Sequence, residues 1–333
     1  MMDIAVIGAG SWGTTLAMLA SRNAKEVSLW AHDSTLADEM QKVRENRKYL
    51  PDRKIPDNVT ITKDMRAAVR GCKVILAVVP TAFMRGVIRE FAPFILPDAA
   101  IINASKGFEP DTRKRMSEVL REELPGRVIC ALSGPNHAEE VSKNIPAATV
   151  LAGDDKKRLK SIAALLTTEN FKVFSHDDIV GVEICGALKN ITALAAGACD
   201  GLGLGDNAKG AIITLGLSEM NTVGRLYEAK RATCYGLAGV GDLVATCTSR
   251  HSRNRRAGEF IAKGLTIDQI SKEMRGMIAE GIYSTKAAYS IGQECRLDLP
   301  LTKTAYNVIY QKKDIHLAIR DLLTAVQKLA ERR

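Results

Sequence analysis

Aromatic residues, histidines and closely spaced cysteines are scarce in this sequence. Aromatics make up 5% of the 333 residues, the five histidines lie far apart, and none of the seven cysteines forms a C-x-x-C pair. Metal centres draw their ligands from clusters of such residues, so the scarcity argues against a metal site. An odd number of scattered cysteines is typical of reduced thiols, and we therefore expect a cytoplasmic protein.

Long hydrophobic runs are also absent. No apolar run approaches the roughly 20 residues of a membrane-spanning helix, and no basic leader with a cleavage site precedes the first apolar run. The sequence therefore predicts no signal peptide and no integral membrane association. With 46% hydrophobic and 26% charged residues, the composition is that of a globular protein, and the length favours two domains.

The formal net charge is +9. A basic balance is found in proteins that bind nucleic acids and also in proteins that handle small anions. The low aromatic content and the lack of a basic tail favour small anions, and we expect no nucleic acid as a partner.

The most informative motif stands at the start of the chain. The apolar run 4–7 leads directly into Gly8-x-Gly10-x-x-Gly13, and 14–20 follows as a helical segment. A strand, a glycine-rich turn and a helix in this order are typical of a dinucleotide site. The first glycine permits the tight turn, the second lets the backbone approach a pyrophosphate, and the third lets the helix pack on the strand. The motif predicts a bound NAD-type cofactor.

The first half of the chain alternates strands and helices. Six further apolar runs are predicted strands: 26–31, 74–79, 100–103, 128–132, 147–152 and 171–174. Helical segments such as 82–91 and 112–123 lie between most of them. This alternation predicts a doubly wound, mostly parallel Rossmann-type sheet. After His176 only helices are predicted: 178–199, 208–229, 254–263, 266–275, 281–293, 300–310 and 314–331. The predicted fold is thus an α/β dinucleotide-binding domain over 1–180 and an all-helical substrate-binding and catalytic domain over 181–333.

Unusual residues follow two other predicted strands. One strand leads into Asn103-Ala104-Ser105-Lys106-Gly107, and another into Ser133-Gly134-Pro135-Asn136. Ligands of open α/β sheets bind beyond the carboxyl ends of the strands. Lys106 is therefore either a cation placed beside a bound anion or a solvated loop residue.

Lys189 lies in the middle of a predicted helix. Its neighbours one helical turn away are small or apolar: Cys185, Gly186, Thr192 and Ala193. The pattern predicts a partly buried amine without an ion pair, suited to proton transfer. A lysine that extends out of a packed face to solvent fits the same pattern.

The third constellation is Gly241-Asp242 followed by the basic run 249–256. Asp242 follows a glycine-rich turn, so we expect the backbone rather than a helix face to place it. Ser252, Arg253 and Asn254 stand at the start of a predicted helix. An arginine fork beside the N–H groups of a helix N-terminus suits a phosphate. A solvated basic run and a nucleic-acid patch are the alternatives.

Together these blocks resemble the NAD(P)-dependent glycerol-3-phosphate dehydrogenases, in the bacterial form. The resemblance spans the whole chain and rests on six blocks in one order and spacing. They are Gly8-x-Gly10-Ser11-Trp12-Gly13, Ser105-Lys106-Gly107, Ser133-Gly134-Pro135, Leu188-Lys189-Asn190, Gly241-Asp242-Leu243 and Ser252-Arg253-Asn254.

The resemblance implies an oxidoreductase that interconverts dihydroxyacetone phosphate and sn-glycerol 3-phosphate with NAD(P)H and supplies glycerol 3-phosphate for phospholipid synthesis. It implies that Lys189 is the general acid and base at the C2 oxygen. The implied substrate-binding residues are Lys106, Gly134, Asn136, Lys189, Asp242, Ser252, Arg253 and Asn254. The implied cofactor-binding residues are Gly8, Gly10, Ser11, Trp12, Gly13, His32, Tyr49, Lys106, Ala138, Arg253, Ile278 and Glu280.

Two alternatives and one choice stay open at this point. A two-domain dehydrogenase of the 3-hydroxy acid type would share the architecture, and a nucleotide-sensing protein would use the run 249–256 on nucleic acid. The cofactor is NADP or NAD. His32 at the end of the second strand favours NADPH, and Asp33 beside it favours NADH. A homodimer is one candidate assembly.

Overall fold

The computed structural model describes residues 3–274, 276–277 and 279–331. It divides into two compact units. The first comprises Met1–Ser105 and Met116–Ile179, and the second comprises Lys106–Arg115 and Val180–Arg333. The chain therefore enters the second unit for ten residues, returns to the first, and leaves it finally after residue 179. The sequence prediction placed the segment 106–115 in the first domain.

The first unit contains all the strands that the structure describes. They are β1 (Ile4–Ile7), β2 (Val27–Trp30), β3 (Glu45–Asn46), β4 (Leu50–Lys54), β5 (Val59–Thr62), β6 (Val74–Ala77), β7 (Ala100–Asn103), β8 (Val128–Ser133), β9 (Ala147–Gly153) and β10 (Phe171–His176). Eight of them form one sheet in the order β10-β9-β8-β7-β6-β1-β2-β5, and β3 pairs with β4 as a separate hairpin. All pairs of the large sheet are parallel except β8 with β9. This confirms the predicted doubly wound, mostly parallel sheet.

Strand β1 illustrates why the sheet is covered on both faces. Ile4 and Val6 belong to one hydrophobic cluster, and Ala5 and Ile7 belong to another. Side chains alternate along a strand, so a strand that is buried on both faces is apolar at every position. The sheet order reverses direction between β6 and β1, and this switch point is where open α/β sheets bind ligands.

Sixteen α-helices are described. They are α1 (Ser11–Ala20), α2 (Ser34–Val43), α3 (Met65–Val69), α4 (Met84–Phe91), α5 (Met116–Glu123), α6 (Ala138–Val141), α7 (Lys156–Leu166), α8 (Ile179–Gly201), α9 (Gly205–Leu226), α10 (Arg231–Tyr235), α11 (Asp242–Thr248), α12 (Arg253–Ala262), α13 (Ile267–Glu273), α14 (Glu280–Glu294), α15 (Pro300–Gln311) and α16 (Ile315–Glu331). From residue 180 on, the described residues form helices and turns, which confirms the predicted helical second half.

Several short elements were not predicted. In the first unit these are the hairpin β3–β4 and the edge strand β5. In the second unit they are α10, a π-helical turn over Leu237–Gly241, and α11. Asp242 is therefore the first residue of a helix, and the expectation that only a turn places it was wrong. The π-helical turn leads straight into α11, so the glycines that suggested a loop instead shape a helix junction.

Helix α8 is the central helix of the second unit. It is long and apolar enough to cross a membrane, which the sequence prediction missed, and 89% of its most apolar window is buried inside the protein. Ile184, Leu188 and Ile191 of α8 belong to one hydrophobic cluster with residues of α9, α11 and α14. A core helix has this composition because it is covered on all sides.

Candidate functional site

The glycine turn lies between β1 and α1 and has the geometry of a pyrophosphate cradle. Gly8 has φ +113°, and an added Cβ there would lie 2.5 Å from the backbone oxygen of Val78. A Cβ at Gly13 would lie 1.8 Å from the oxygen of Gly8, so this glycine permits the helix to touch the strand. A Cβ at Gly10 would meet nothing within 4 Å. The turn is tight where it packs and open where a dinucleotide would sit, which fits NAD or NADP.

Ser11 and Trp12 begin α1 directly after the turn. Ser11 is buried, and the Trp12 ring lies 6.3 Å from that of Phe171. Trp12 Nε1 is buried and has no hydrogen-bond partner among the residues that the structure describes. A buried indole N–H usually finds an acceptor, so this donor is suited to a ligand.

Asn46 links Tyr49 to the glycine turn and was not predicted. Its Nδ2 donates to the backbone oxygen of Ala9 at 2.9 Å and to Thr14 Oγ1 at 2.8 Å. The N–H of Tyr49 donates to Asn46 Oδ1 at 3.1 Å. The hairpin that carries Tyr49 is thus fastened to the turn by one buried amide. No pattern in the sequence pointed to this residue.

The end of β2 carries His32 and Asp33, both exposed. The His32 ring lies edge-on to Trp30 at 5.7 Å. Asp33 is the N-cap of α2, where it accepts from the N–H of Leu36 at 3.1 Å, and its other oxygen lies 3.5 Å from Lys48 Nζ. The hydrogen bond from Leu36 and the charge of Lys48 hold the pKa of Asp33 below its usual value. Lys48 places a cation near this strand end, and the sequence did not indicate it.

The predicted residues after β8 lie in the same unit. Asn136 Nδ2 donates to Thr149 Oγ1 at 3.1 Å, and Gly134 packs against the backbone of that same threonine. Ala138 is the first residue of α6, and its backbone oxygen lies 3.4 Å from Thr15 Oγ1 of α1. These positions follow the carboxyl end of β8.

The second unit contains a buried cluster of two amines around one carboxylate. Lys189 Nζ lies 2.8 Å from Asp242 Oδ1, and Lys106 Nζ lies 2.6 Å from Asp242 Oδ2. The exposed fractions of the three side chains are 7%, 16% and 3% for Lys189, Lys106 and Asp242. The prediction that Lys189 lacks an ion pair was wrong, because its partner lies 53 residues away on α11. We call these three residues the charge triad.

Burial and charge act against each other in the charge triad. Burial lowers the pKa of Lys106 to about 8, with the attraction of Asp242 opposing the shift and the repulsion of Lys189 adding to it. Burial alone would raise the pKa of Asp242, but the two ammonium groups outweigh it and hold that pKa below its usual value. The carboxylate is therefore ionised at neutral pH, whereas Lys106 changes its charge near pH 8.

Thr246 completes the surroundings of Lys189 and was not among the predicted residues. Its hydroxyl accepts from Lys189 Nζ at 2.6 Å and donates to the backbone oxygen of Asp242 at 2.6 Å. Thr246 stands one turn after Asp242 on α11, and this spacing could have indicated it. Asp242 and Thr246 engage two of the three hydrogens of the ammonium group.

The start of α12 is held next to Lys189 by two amides. Asn254 Nδ2 donates to Asn190 Oδ1 at 2.8 Å, and both residues are buried. Ser252 is the N-cap, and its hydroxyl accepts from the N–H of Arg255 at 3.1 Å. Arg253 is the first residue of the helix and is exposed. The structure thus brings Asn254 and Lys189 together through Asn190, a neighbour that sequence reasoning left out of the site.

Two predicted cofactor positions remain. Glu280 is the first residue of α14 and is partly exposed. Ile278 lies outside the described residues. Groups of His, Cys, Asp and Glu that could hold a metal ion are absent from the described part of the chain.

Comparison with known proteins gives one consistent family. Residues 3–159 match the family model of the NAD-dependent glycerol-3-phosphate dehydrogenase N-terminus, and residues 178–320 match that of its C-terminus. A glycerol-3-phosphate dehydrogenase [NAD(P)+] from Pelodictyon phaeoclathratiforme is 44% identical over 326 residues, with 97% of this chain and 98% of the relative covered. The enzyme of that name from Bacillus subtilis is 42% identical, with 97% and 94% covered.

A solved structure agrees with the sequence comparisons. The crystal structure of a glycerol-3-phosphate dehydrogenase from Coxiella burnetii superposes with a TM-score of 0.93 at 37% identity, covering 97% of this chain and 98% of that one. Because both family models match and together span most of its length, the chain belongs to the NAD-dependent glycerol-3-phosphate dehydrogenase family.

Proposed function

We propose that this NAD(P)-dependent dehydrogenase interconverts dihydroxyacetone phosphate and sn-glycerol 3-phosphate, with Lys189 as the general acid and base. The charge triad is the observation that carries this proposal. It provides a buried ammonium group whose orientation is set by two acceptors, as proton transfer to a developing alkoxide requires. The product would supply phospholipid synthesis with its glycerol backbone.

The chain's own residues account for the proton at the C2 oxygen. Asp242 and Thr246 engage two hydrogens of Lys189, and we assign the third to the substrate oxygen. When Lys189 gives up that proton, Asp242 keeps Lys106 as its counter-ion. The carboxylate is then never left buried without a cation, which would be costly. The nicotinamide, when bound, supplies or accepts the hydride at C2.

The substrate phosphate is assigned to the start of α12. Arg253 is the first residue of this helix and offers a guanidinium fork, and a helix N-terminus presents N–H groups that suit an anion. We also assign substrate binding to Ser252 and Asn254, which stand at this helix start. Gly134 and Asn136, in the loop after β8, are assigned to substrate binding as well. The phosphate is remote from the reacting carbon, so binding of the phosphate would serve to orient the substrate.

Most of the cofactor positions that we assign lie in the first unit, in line with a proposed division into a dinucleotide-binding domain and a substrate domain. They are Gly8, Gly10, Ser11, Trp12, Gly13, His32, Tyr49 and Ala138. The positions assigned outside the first unit are Lys106, Arg253, Ile278 and Glu280. NADPH is proposed as the preferred form. Lys48 and helix α2 both engage Asp33, so this acid is less available to a ribose hydroxyl.

The test of the proposed reaction is a panel of substrates and cofactors. Oxidation of NADPH and NADH is followed with dihydroxyacetone phosphate, with phosphate-free dihydroxyacetone, with 3-keto acids and without substrate. We expect turnover only with the first, and faster turnover with NADPH. Faster turnover with a 3-keto acid would favour the 3-hydroxy acid type of dehydrogenase instead.

Two substitutions test the assigned roles. Lys189→Met should lower kcat by about 10²–10⁴, the usual contribution of general acid-base catalysis. Lys209→Met is the control, because Lys209 is a partly buried lysine of the same unit that is paired with Asp200 outside the charge triad. Retention of more than about a tenth of kcat by Lys189→Met would exclude the proposed role.

Arg253→Ala should weaken binding of the phosphorylated substrate about tenfold.

We also propose a cytoplasmic homodimer that binds no nucleic acid. All seven cysteines are free, as expected in a reducing compartment. In the basic run 249–256, Arg255 pairs with Asp200 and Glu259, and Arg256 lies over the ring of Phe260. These arginines serve internal contacts. Light scattering tests the homodimer, which a monomeric mass would contradict. Fluorescence anisotropy with labelled DNA and RNA tests the second statement, which salt-resistant binding of either nucleic acid would contradict.

A further inference from the structure

The segment Lys106–Arg115, which belongs to the second unit, has a charged residue at each end. The chain is paired at Phe108 and Arg115 by an antiparallel bridge, and the N–H of Glu109 donates to the oxygen of Lys114 at 2.9 Å. The segment is therefore a closed loop rather than a loose connection. Lys106, at its first position, is a member of the charge triad.

The last residue of the segment is anchored by a buried ion pair. Arg115 Nη1 lies 3.0 Å from Glu183 Oε2, and the two side chains are 9% and 5% exposed. Glu183 lies on α8, the helix that also carries Lys189. The segment is thus attached at one end to α8 and at the other end, through Asp242, to α11.

The middle of the segment adds an apolar anchor. Phe108 is 2% exposed and belongs to the same hydrophobic cluster as Ile184 and Leu188 of α8. A further ion pair joins Arg113 to Glu294, but its side chains are 35% and 58% exposed. Exposed pairs contribute little because water screens them, so the buried Arg115–Glu183 pair anchors the segment more firmly than the exposed pair does.

We propose that Arg115 and Glu183 are positioning residues that keep Lys106 at the candidate site. Lys106 keeps one ammonium hydrogen on Asp242, and we assign another to the substrate. The Arg115–Glu183 pair attaches the far end of the segment to α8, the helix that carries Lys189, and so helps to fix where the Lys106 amine lies relative to Lys189. The inference depends on the proposed role of Lys106 in binding the substrate.

Energetics supports a role in positioning rather than in stability. Removing two charges from water is costly, and replacing a buried ion pair by apolar residues is often neutral or stabilising for the fold. Phe108 already buries apolar surface at this place. A directional pair of charges, unlike an apolar contact, defines one orientation of the segment, and this orientation determines where Lys106 points.

The experiment combines kinetics with site-resolved labelling of lysines. Glu183→Gln removes the charge with almost no change of shape, and Arg115→Met removes the other partner. Each purified variant is treated with an amine-acylating reagent, and labelling of Lys106 and Lys189 is quantified by mass spectrometry. We expect labelling of Lys106 to rise about tenfold, the effect of one lost charge-assisted hydrogen bond, while labelling of the more deeply buried Lys189 stays unchanged.

The kinetic expectation is specific as well. The KM for dihydroxyacetone phosphate should rise about tenfold in Glu183→Gln, with a much smaller change of kcat. Arg115→Lys keeps the positive charge, so its KM and its Lys106 labelling should stay close to those of the wild type. Glu294→Gln breaks the exposed pair of the same segment and should behave like the wild type.

Three outcomes would overturn the proposal. Equal rises in the labelling of Lys106 and Lys189 would mean that the pair only stabilises the second unit. Unchanged labelling of Lys106 in Glu183→Gln would mean that the Arg115–Glu183 pair does not hold the segment. An equally large rise of Lys106 labelling in Glu294→Gln would mean that the buried pair has no special role. The labelling requires no turnover, so an inactive wild type would contradict the proposed function and leave this test intact.

Discussion

Loss of the negative charge of Asp242 should lower both the stability of the protein and its turnover. Asp242 is buried between Lys106 and Lys189 and is the acidic member of the charge triad. The substitution Asp242→Asn keeps the size of the side chain and removes only the negative charge. Two buried amines would then face each other with an amide between them.

The expected loss follows from the burial of these groups. Removing one partner of a buried ion pair typically costs about 3–5 kcal/mol, because the remaining charge is left uncompensated. The Asp242 side chain is 3% exposed, so solvent screens this interaction little. Against a total stability of about 5–15 kcal/mol, Asp242→Asn should still fold. Its midpoint of thermal unfolding should fall by roughly 10 °C.

The assay can follow the two units separately. The chain has two tryptophans, Trp12 and Trp30, and both belong to the first unit. Tryptophan fluorescence therefore reports on the first unit, whereas far-ultraviolet circular dichroism includes the helices of the second. Urea titration of Asp242→Asn should shift the circular dichroism transition to lower urea. Turnover should also fall, because Asp242 no longer orients the Lys189 ammonium group.

A double substitution serves as the internal control. In Asp242→Asn with Lys106→Met, one of the two uncompensated amines is gone, so part of the lost stability should return. The coupling between the two substitutions should be about 0.5–3 kcal/mol. A free energy of unfolding for Asp242→Asn within about 1 kcal/mol of the wild type would refute the reasoning, and so would strict additivity of the two substitutions.

Four further predictions follow. The KM for dihydroxyacetone phosphate should rise above pH 8, where Lys106 loses its charge, and should stay level in Lys106→Arg; a level wild-type profile would contradict this. Burial raises the pKa of Glu219 to about 7, so between pH 4.5 and 7 the folded state keeps a proton that the unfolded state has lost. The free energy of unfolding should therefore fall by about 3 kcal/mol over this range relative to Glu219→Gln, in urea titrations at each pH. Gly197→Ala should destabilise by at least about 1–3 kcal/mol, because its Cβ would lie 1.8 Å from a backbone oxygen of α12, whereas Gly210→Ala, with open space, should not. His32→Ala should raise the dissociation constant of NADPH more than that of NADH, measured by titration; equal effects would exclude His32 as the selective residue.

The parallel sheet was predictable because its strands are continuous apolar runs. β6 is buried at every position, so its sequence carries an unambiguous signal. The edge strand β5 was missed because two of its residues are threonines that face outward or are half-buried. The hairpin β3–β4 was missed because it contains mostly polar and charged residues and is held by the side chain of Asn46.

The sequence named the members of the charge triad as candidates but did not indicate their contacts. The local patterns around Lys106, Lys189 and Asp242 left their roles open until the family resemblance was added, and their pairing depends on how α8, α11 and the segment 106–115 pack. Local spacing indicates contacts between residues three or four apart on one helix. A pair separated by 53 residues, such as Lys189 and Asp242, has no such signal. The ion pair was therefore missed although both partners were named.

The charge triad has a surplus of positive charge, and this surplus connects the fold to the substrate. Two amines share one carboxylate, so the buried group carries a net charge of one when all three are ionised. Such a surplus is unfavourable in a buried site unless an anion joins it. The phosphate that we propose to bind at the start of α12 and the alkoxide proposed to develop at C2 both have the compensating sign. A 3-hydroxy acid would bring a carboxylate but leave the helix N-terminus and Arg253 without a phosphate, so the arrangement favours the phosphorylated substrate.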